Sequence, residues 1–420
     1  LLLSSFVASA PGAAADTEPG AIGPAPTARY LDVVFELFLG RSPSPGEADV
    51  WSVVAHRDGL RAVTRSLAAS DEWAGQRVDD LYRTVLGRPA EPAGRAHWVA
   101  RIAGGLRLED VAAMFFGSTE YYGRAGGNDG GFVDALYEAL LDRSADAGGR
   151  SHWLAHLRRG MTRHVVAESF YASTESRFDR VAATYREVLG RAPDPGGHRH
   201  WAERLLDSGE VELAASLAAS AELHLRATGL PAPSVRIAVV GPGTPYPLTH
   251  SWRPGCPVHH RDLVAVQFPH LRDGGGVAQG VLIVHRAVVG EVAEAVRALY
   301  GNGFPLTMAR PVDDFGGDDT RSMEADNSSA FNCRRVAGTG TWSQHAHGLA
   351  VDLNPRRNPY VSSAGFQPAS GAAWADRSDV RPGMVVENGP AVAVFDRLGW
   401  GWGGRWSSGQ DLQHFSTTGR

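Results

Sequence analysis

The sequence predicts a multidomain chain: an all-α helical repeat array followed by an α+β domain. Three observations carry this. An Arg/Trp pattern with helical apolar spacing recurs four times between residues 29 and 228, a Pro/Gly-rich break follows it, and short strand-like segments then surround a single clear helix. At 420 residues, with 43% hydrophobic and 21% charged, the chain suits two or more packed units and excludes a wholly disordered, collagenous or coiled-coil protein. All 41 basic residues are arginine and are outweighed by 46 acidic ones, for a net charge of −5, so there is no basic footprint for nucleic acid.

Taken in order, residues 1–28 read as a truncated signal peptide and linker. An apolar run from Leu1 to Ala10 passes through the small residues Ala13 to Ala15, and Pro11, Pro19, Pro24 and Pro26 keep it from joining a core. The mature chain is therefore expected to be exported, secreted or associated with a bacterial cell wall. No later stretch is apolar for 18 residues, so no membrane span is expected.

Between residues 29 and 228, Arg41, Arg88, Arg143 and Arg191 each precede a tryptophan by 10 residues (Trp51, Trp98, Trp153 and Trp201), with periods of 47, 55 and 48. Extra Gly/Asn/Asp residues near 126–131 account for the long copy. Upstream of each arginine lies one apolar helix face, such as Val78, Leu81, Tyr82, Val85 and Leu86. A Pro/Asp/Gly loop and a Trp-bearing helix follow, and a third helix is expected to end in Ser70-Asp-Glu-Trp73, Ser118-Thr-Glu-Tyr121 or Ser173-Thr-Glu-Ser176. The pattern LGR-x-x-[DES]-x-x-G-x-x-x-W with a later S-x-E-Y resembles the DUF4214 family of helical modules in extracellular bacterial proteins. Such an array could bind wall glycan or surface-layer material, or its Arg and Trp could simply lock helices together. Calcium in the loops is disfavoured, because Asp146 and Asp194 are not repeated in the other copies.

Residues 229–245 read as a linker, with Val235–Val240 as linker or edge segment, and residues 246–420 as the second domain. A helix is predicted over about 287–300 from Val288, Val292, Val296 and Leu299, and strands at 304–308, 329–334 and 349–353. Cys256 and Cys333, with no CxxC, read as one disulfide of an exported chain, worth at most about 4.5 kcal/mol by loop entropy.

Chemistry concentrates in Ser343-Gln-His345-Ala-His-Gly348-Leu-Ala-Val-Asp352 and Asp411-Leu-Gln-His414-Phe415. Two imidazoles and a carboxylate make a three-ligand zinc set with a fourth position left for water. His345 and Asp352 are seven apart, so Gly348 is expected to turn the chain between them. The motif S-x-H-x-x-G-x-A-x-D with a later D-x-x-H-F resembles the M15 metallopeptidases. The nearest branch is the D-alanyl-D-alanine carboxypeptidase-like proteins, which also carry Gly255-Cys256-Pro257, Ser329 to Arg334, Asn358-Pro359-Tyr360 and Gly399 to Trp406. The resemblance implies Zn2+ held by His345, Asp352 and His414, with Asp411 as general base. It also implies an arginine for the oxyanion, Arg334 with Arg321 as rival, and peptidoglycan stem peptides as substrate. D-alanyl-D-alanine carboxypeptidase is the favoured reaction; L-Ala-D-Glu-type endopeptidase cleavage, or wall binding or adhesion without catalysis, are the alternatives. Ser343 is expected to bind within the site, substrate included, rather than attack. His347 stands where the family has tyrosine, and Trp400, Trp402 and Trp406 either line a substrate groove or fill the core, with the core favoured.

Overall fold

A computed structural model describes residues 26–273 and 275–419, so residues 1–25 of the expected signal segment lie outside the described residues. The first half is all helical: α1 (Pro26–Leu39), α2 (Pro45–Asp58), α3 (Leu60–Ala68), α4 (Asp71–Thr84), α5 (Pro92–Ala103), α6 (Leu108–Phe116), α7 (Thr119–Arg124), α8 (Asp129–Leu141), α9 (Ala147–Arg158), α10 (Arg163–Tyr171), α11 (Thr174–Leu189), α12 (Pro195–Ala218) and α13 (Ala221–Thr228). The insertion explains the long period, since it splits into α7 and α8 what α4 and α11 keep as one helix. No helix among the described residues is long and apolar enough to cross a membrane.

The S-x-E segments correct the sequence reading. They begin helices rather than end them, because the serines are N-caps: Ser70, Ser118, Ser173 and Ser220 each accept from the backbone N–H three residues on. The glutamate of each segment then takes the repeat arginine in a two-pronged ion pair: Arg41 with Glu72, Arg88 with Glu120, Arg143 with Glu175, Arg191 with Glu222. The same guanidiniums lie over Phe35, Tyr82, Tyr137 and Tyr185. Trp51, Trp98 and Trp153 pack on Phe35, Phe115 and Phe170. Arginine and tryptophan therefore lock helices together. Asp146 and Asp194 cap α9 and α12, which accounts for both without calcium.

The first and fourth copies share a core through Tyr30, Phe35 and Val63 with Val181, Leu205 and Leu213. The second and third share another through Val78, Phe115, Phe132 and Val166. Helix α4 joins them, with Trp73 in one core and Val78 in the other.

The second half is α+β. Its antiparallel sheet runs β1 (Arg236–Val239), β2 (Leu263–Leu271), β3 (Val277–His285), with Leu263 opposite His285. Strand β1 falls within the expected linker and bears out its edge alternative: it pairs with Val264–Gln267 as an edge strand. Helix α14 (Val289–Gly301) packs Val292, Val296 and Leu299 on Val266, Phe268 and Leu282. The strands expected at 304–308 and 329–334 shrink to a parallel pair, β4 (Met308–Ala309) and β5 (Asn327–Ser328), flanking α15 (Asp319–Glu324). Beyond Ser328 a single bridge joins Ser329 to Asp352, and the N–H groups that follow each bond to a different neighbour, so no ladder forms. Strands β6 (Ala350–Asp352), β7 (Tyr360–Ser362) and β8 (Gly365–Gln367) precede α16 (Pro390–Arg397), and β9 (Gly401–Trp402), β10 (Gln410–Asp411) and β11 (His414–Ser416) close the chain. They form two small sheets, ordered β6-β11-β9 and β10-β7-β8.

Helix α13 of the array lies on α14. There His224 is buried, its ring 5.4 Å from Tyr30, and burial pushes its pKa down to about 4. Between that value and the ordinary 6.5 the unfolded chain binds the extra proton, so stability held above pH 6.5 is lost as the pH falls toward 4. Acidification through this window should cost up to about 3 kcal/mol through His224. In thermal melts between pH 7 and 4.5, His224→Phe should show a shallower fall in Tm than the parent; identical slopes would refute the assignment.

Candidate metal centre

His345 rides on a single 3-10 turn, Gln344–His347, whose cap is Ser343: the Ser343 Oγ accepts from the His345 N–H at 3.3 Å. The hydroxyl expected to meet substrate thus sets the turn that carries a ligand. Gly348 ends the turn with φ 68°, and a Cβ there would lie 2.6 Å from the His285 nitrogen. The expected reversal between His345 and Asp352 therefore requires glycine, both for its φ and for the close passage over β3. Asp352 ends β6 directly opposite His414 in β11, and opposed residues of an antiparallel pair project side by side from one face.

Asp352 Oδ1 is 3.1 Å from His414 Nδ1 and 3.2 Å from His345 Nε2, and those two nitrogens are 3.1 Å apart. All three side chains are buried. The other ring nitrogen of His345 faces the Ala330 carbonyl, which can only accept, so Nδ1 carries the hydrogen and Nε2 presents its lone pair. Donors at zinc distances around a tetrahedral ion stand about 3.3 Å from one another. The observed spacing fits that ion, and no other group of three such donors occurs among the described residues. Burial opposes charge here, yet the neighbouring imidazoles hold Asp352 far below the ordinary carboxylate range. Against the same burial, Asp352 raises His345.

The segment Ser329 to Arg334 is the scaffold behind this cluster. Ser329 exchanges two backbone hydrogen bonds with Asp352 (3.0 and 2.8 Å), the Ala330 carbonyl orients His345, and the Asn332 N–H donates to the His345 carbonyl at 3.2 Å. Cys333 is disulfide-bonded to Cys256, with Cα atoms 5.8 Å apart, as expected. Arg334 then reaches toward the site, where its charge acts on both His345 and Asp411. Arg321, its rival, is exposed on α15.

Asp411, on β10, turns a buried Oδ1 into the site with no hydrogen-bond partner among the described residues. Burial pushes its pKa up to about 6, against the opposing charges of His414, His345 and Arg334. Gly403 makes this placement possible, since a Cβ there would lie 2.6 Å from the Asp411 carbonyl oxygen and 3.2 Å from His414 Cβ. Trp400 and Trp402 are core residues, as expected. Trp406 takes the other alternative: it is half-buried, its ring 5.4 Å from that of His414, so it walls the site. His347 lies outside the donor group. Sequence reasoning missed the Ala330 carbonyl, which has no side-chain signature, and Gly403, whose signal was the repeated glycine between tryptophans.

Residues 337–417 match a family model described as D-alanyl-D-alanine carboxypeptidase. Residues 65–125 and 112–179 match a domain of unknown function, DUF4214. Both bear out the resemblance read from the motifs, an M15-type domain preceded by a DUF4214 helical region. No curated protein and no solved structure matches the chain.

The full chain should take up about one equivalent of zinc, as a three-donor site implies. Asp352→Asn and His414→Ala should each abolish uptake by metal analysis after dialysis. Gly348→Ala should destabilise the fold by about 1–3 kcal/mol in denaturant melts, through its strained φ and its contact with β3.

Proposed function

We propose that this chain is an exported, cell-wall-associated zinc peptidase that hydrolyses peptidoglycan stem peptides, with D-alanyl-D-alanine carboxypeptidase as its reaction. The observation that carries the reading is the convergence of His345, Asp352 and His414 with an unpartnered carboxylate oxygen of Asp411 beside them. The likeness of residues 337–417 to the carboxypeptidase family supports it. Bound between the three donors, zinc supplies Lewis acidity and a nucleophile at neutral pH.

The chain's own residues do the rest. Asp411 takes the proton from the attacking water at its free Oδ1 and returns it to the leaving amine, for which a carboxylate tuned toward neutrality is suited. Arg334 supplies positive charge where the amide oxygen becomes an oxyanion. Ser343 and the Ala330 carbonyl hold His345 in one orientation and tautomer. Trp406 covers one side of His414 and limits access of water. In this reading the array positions the enzyme at wall glycan or surface-layer material. Any such contact would use surfaces other than the repeat arginines and tryptophans, which are engaged in packing.

Defined pentapeptide muropeptides incubated with the zinc-loaded full chain should lose one terminal alanine by mass spectrometry, and a chelated control should leave them intact. Internal fragments would instead establish an endopeptidase, and unchanged substrate with zinc bound would favour a binding protein. Asp411→Ala should lower kcat by about 10²–10⁴-fold with zinc content unchanged; an active variant would overturn the role given to Asp411.

A further inference from the structure

Arg334 is the only cation assigned to the reacting atoms, and its side chain is one-third exposed. An arginine so placed has many rotamers, and its value to a developing oxyanion depends on its being held in one of them before reaction. The holding group is an aspartate on a separate element. Asp319, the first residue of α15, sets its Oδ2 2.8 Å from Arg334 Nε, while its Oδ1 accepts from the Asn332 side-chain amide at 3.2 Å. Asn332 in turn donates its backbone N–H to the carbonyl of His345. One carboxylate thereby ties the arginine to the segment that orients the first metal donor.

Three features argue that this is more than a surface ion pair. Asp319 is about one-quarter exposed, so the pair is less open to solvent than the array's clamps. It pairs by charge with Nε, the inner edge of the guanidinium, and no ion pair is made by the terminal nitrogens among the described residues. Asp319 is also not needed as the cap of its helix, because Asp318 performs that role by accepting from the Arg321 N–H at 3.1 Å.

We propose that Asp319 is the positioning residue of the site: it fixes Arg334 so that the guanidinium meets an oxyanion at the metal centre. This rests on the reading of the site given under the proposed function. Asp319 touches neither substrate nor metal, and acts only through Arg334.

The test is a double-mutant cycle on the zinc-loaded full chain, with inorganic phosphate as the oxyanion probe and affinity read by calorimetry. Asp319→Asn keeps the shape and removes the charge; Arg334→Met removes the cation. Each should weaken phosphate about tenfold, as expected for the loss of a charge-assisted contact, and the double variant should be no weaker than Arg334→Met alone. Asp319→Glu should recover part of the loss. On a muropeptide substrate the Asp319→Asn effect should fall on kcat with KM within about twofold, the pattern of a contact made in the transition state. Parental phosphate affinity in Asp319→Asn, or losses that multiply in the double variant, would overturn the proposal. Metal analysis separates the two readings: a chain that takes up no zinc sinks the metal centre and this inference with it, whereas zinc uptake with an unresponsive Asp319 sinks the inference alone.

Discussion

The pairing of β6 with β11 is the constraint on which the second domain depends. Opposing Asp352 to His414 in one antiparallel register puts a carboxylate and an imidazole side by side, and a slip of one residue would send one of them to the other face. Everything near the site serves that pair or completes it. The turn at Gly348 brings His345 to it, the Ser329 bridge pins Asp352 from behind, and Gly403 lets β9 and its glycine pair pass close enough to carry Asp411 alongside. Once three lone pairs are buried within hydrogen-bonding distance of each other, a cation or proton between them is a physical necessity.

Much of this was legible because the chemistry sits in side-chain types at fixed spacings. His345, Asp352, His414 and Asp411 could be read from two short motifs, and the reversal at Gly348 from an odd separation along a strand. The disulfide could be read from cysteine count and compartment. What was not legible lies in the backbone. The run from Ser329 to Arg334 has the composition of a strand, yet after the two-bond bridge of Ser329 to Asp352 its N–H groups go singly to Ile283, His345 and Ser251. Periodicity cannot distinguish a ladder from a scaffold of isolated bonds. Strand β1 was legible only as one of two alternatives, linker or edge: with one neighbour and most of its side chains exposed, it has no apolar alternation to decide between them.

In the array, the helices were legible and the role of the S-x-E segment was not. Serine and glutamate three residues before an apolar run mark a helix start, but a tryptophan or tyrosine immediately after them reads equally as the end of the preceding helix. The arginine ten residues before each tryptophan finds its carboxylate about thirty residues downstream, across a helix boundary, a separation that no local pattern reports.

The packing of the first copy against the fourth also governs how such an array can fold and change. In an open stack each unit meets only its neighbours, so copies can be added or lost at the ends and stability grows with their number. Here Tyr30 donates its hydroxyl hydrogen to the Ala218 carbonyl, 188 residues away, and the outer copies close on one another. The two ends of the array are thereby joined in one core instead of being left open to further copies. Such closure is expected to make folding more cooperative and slower than in an open stack, because its longest loop must form before its contacts can repay the entropy.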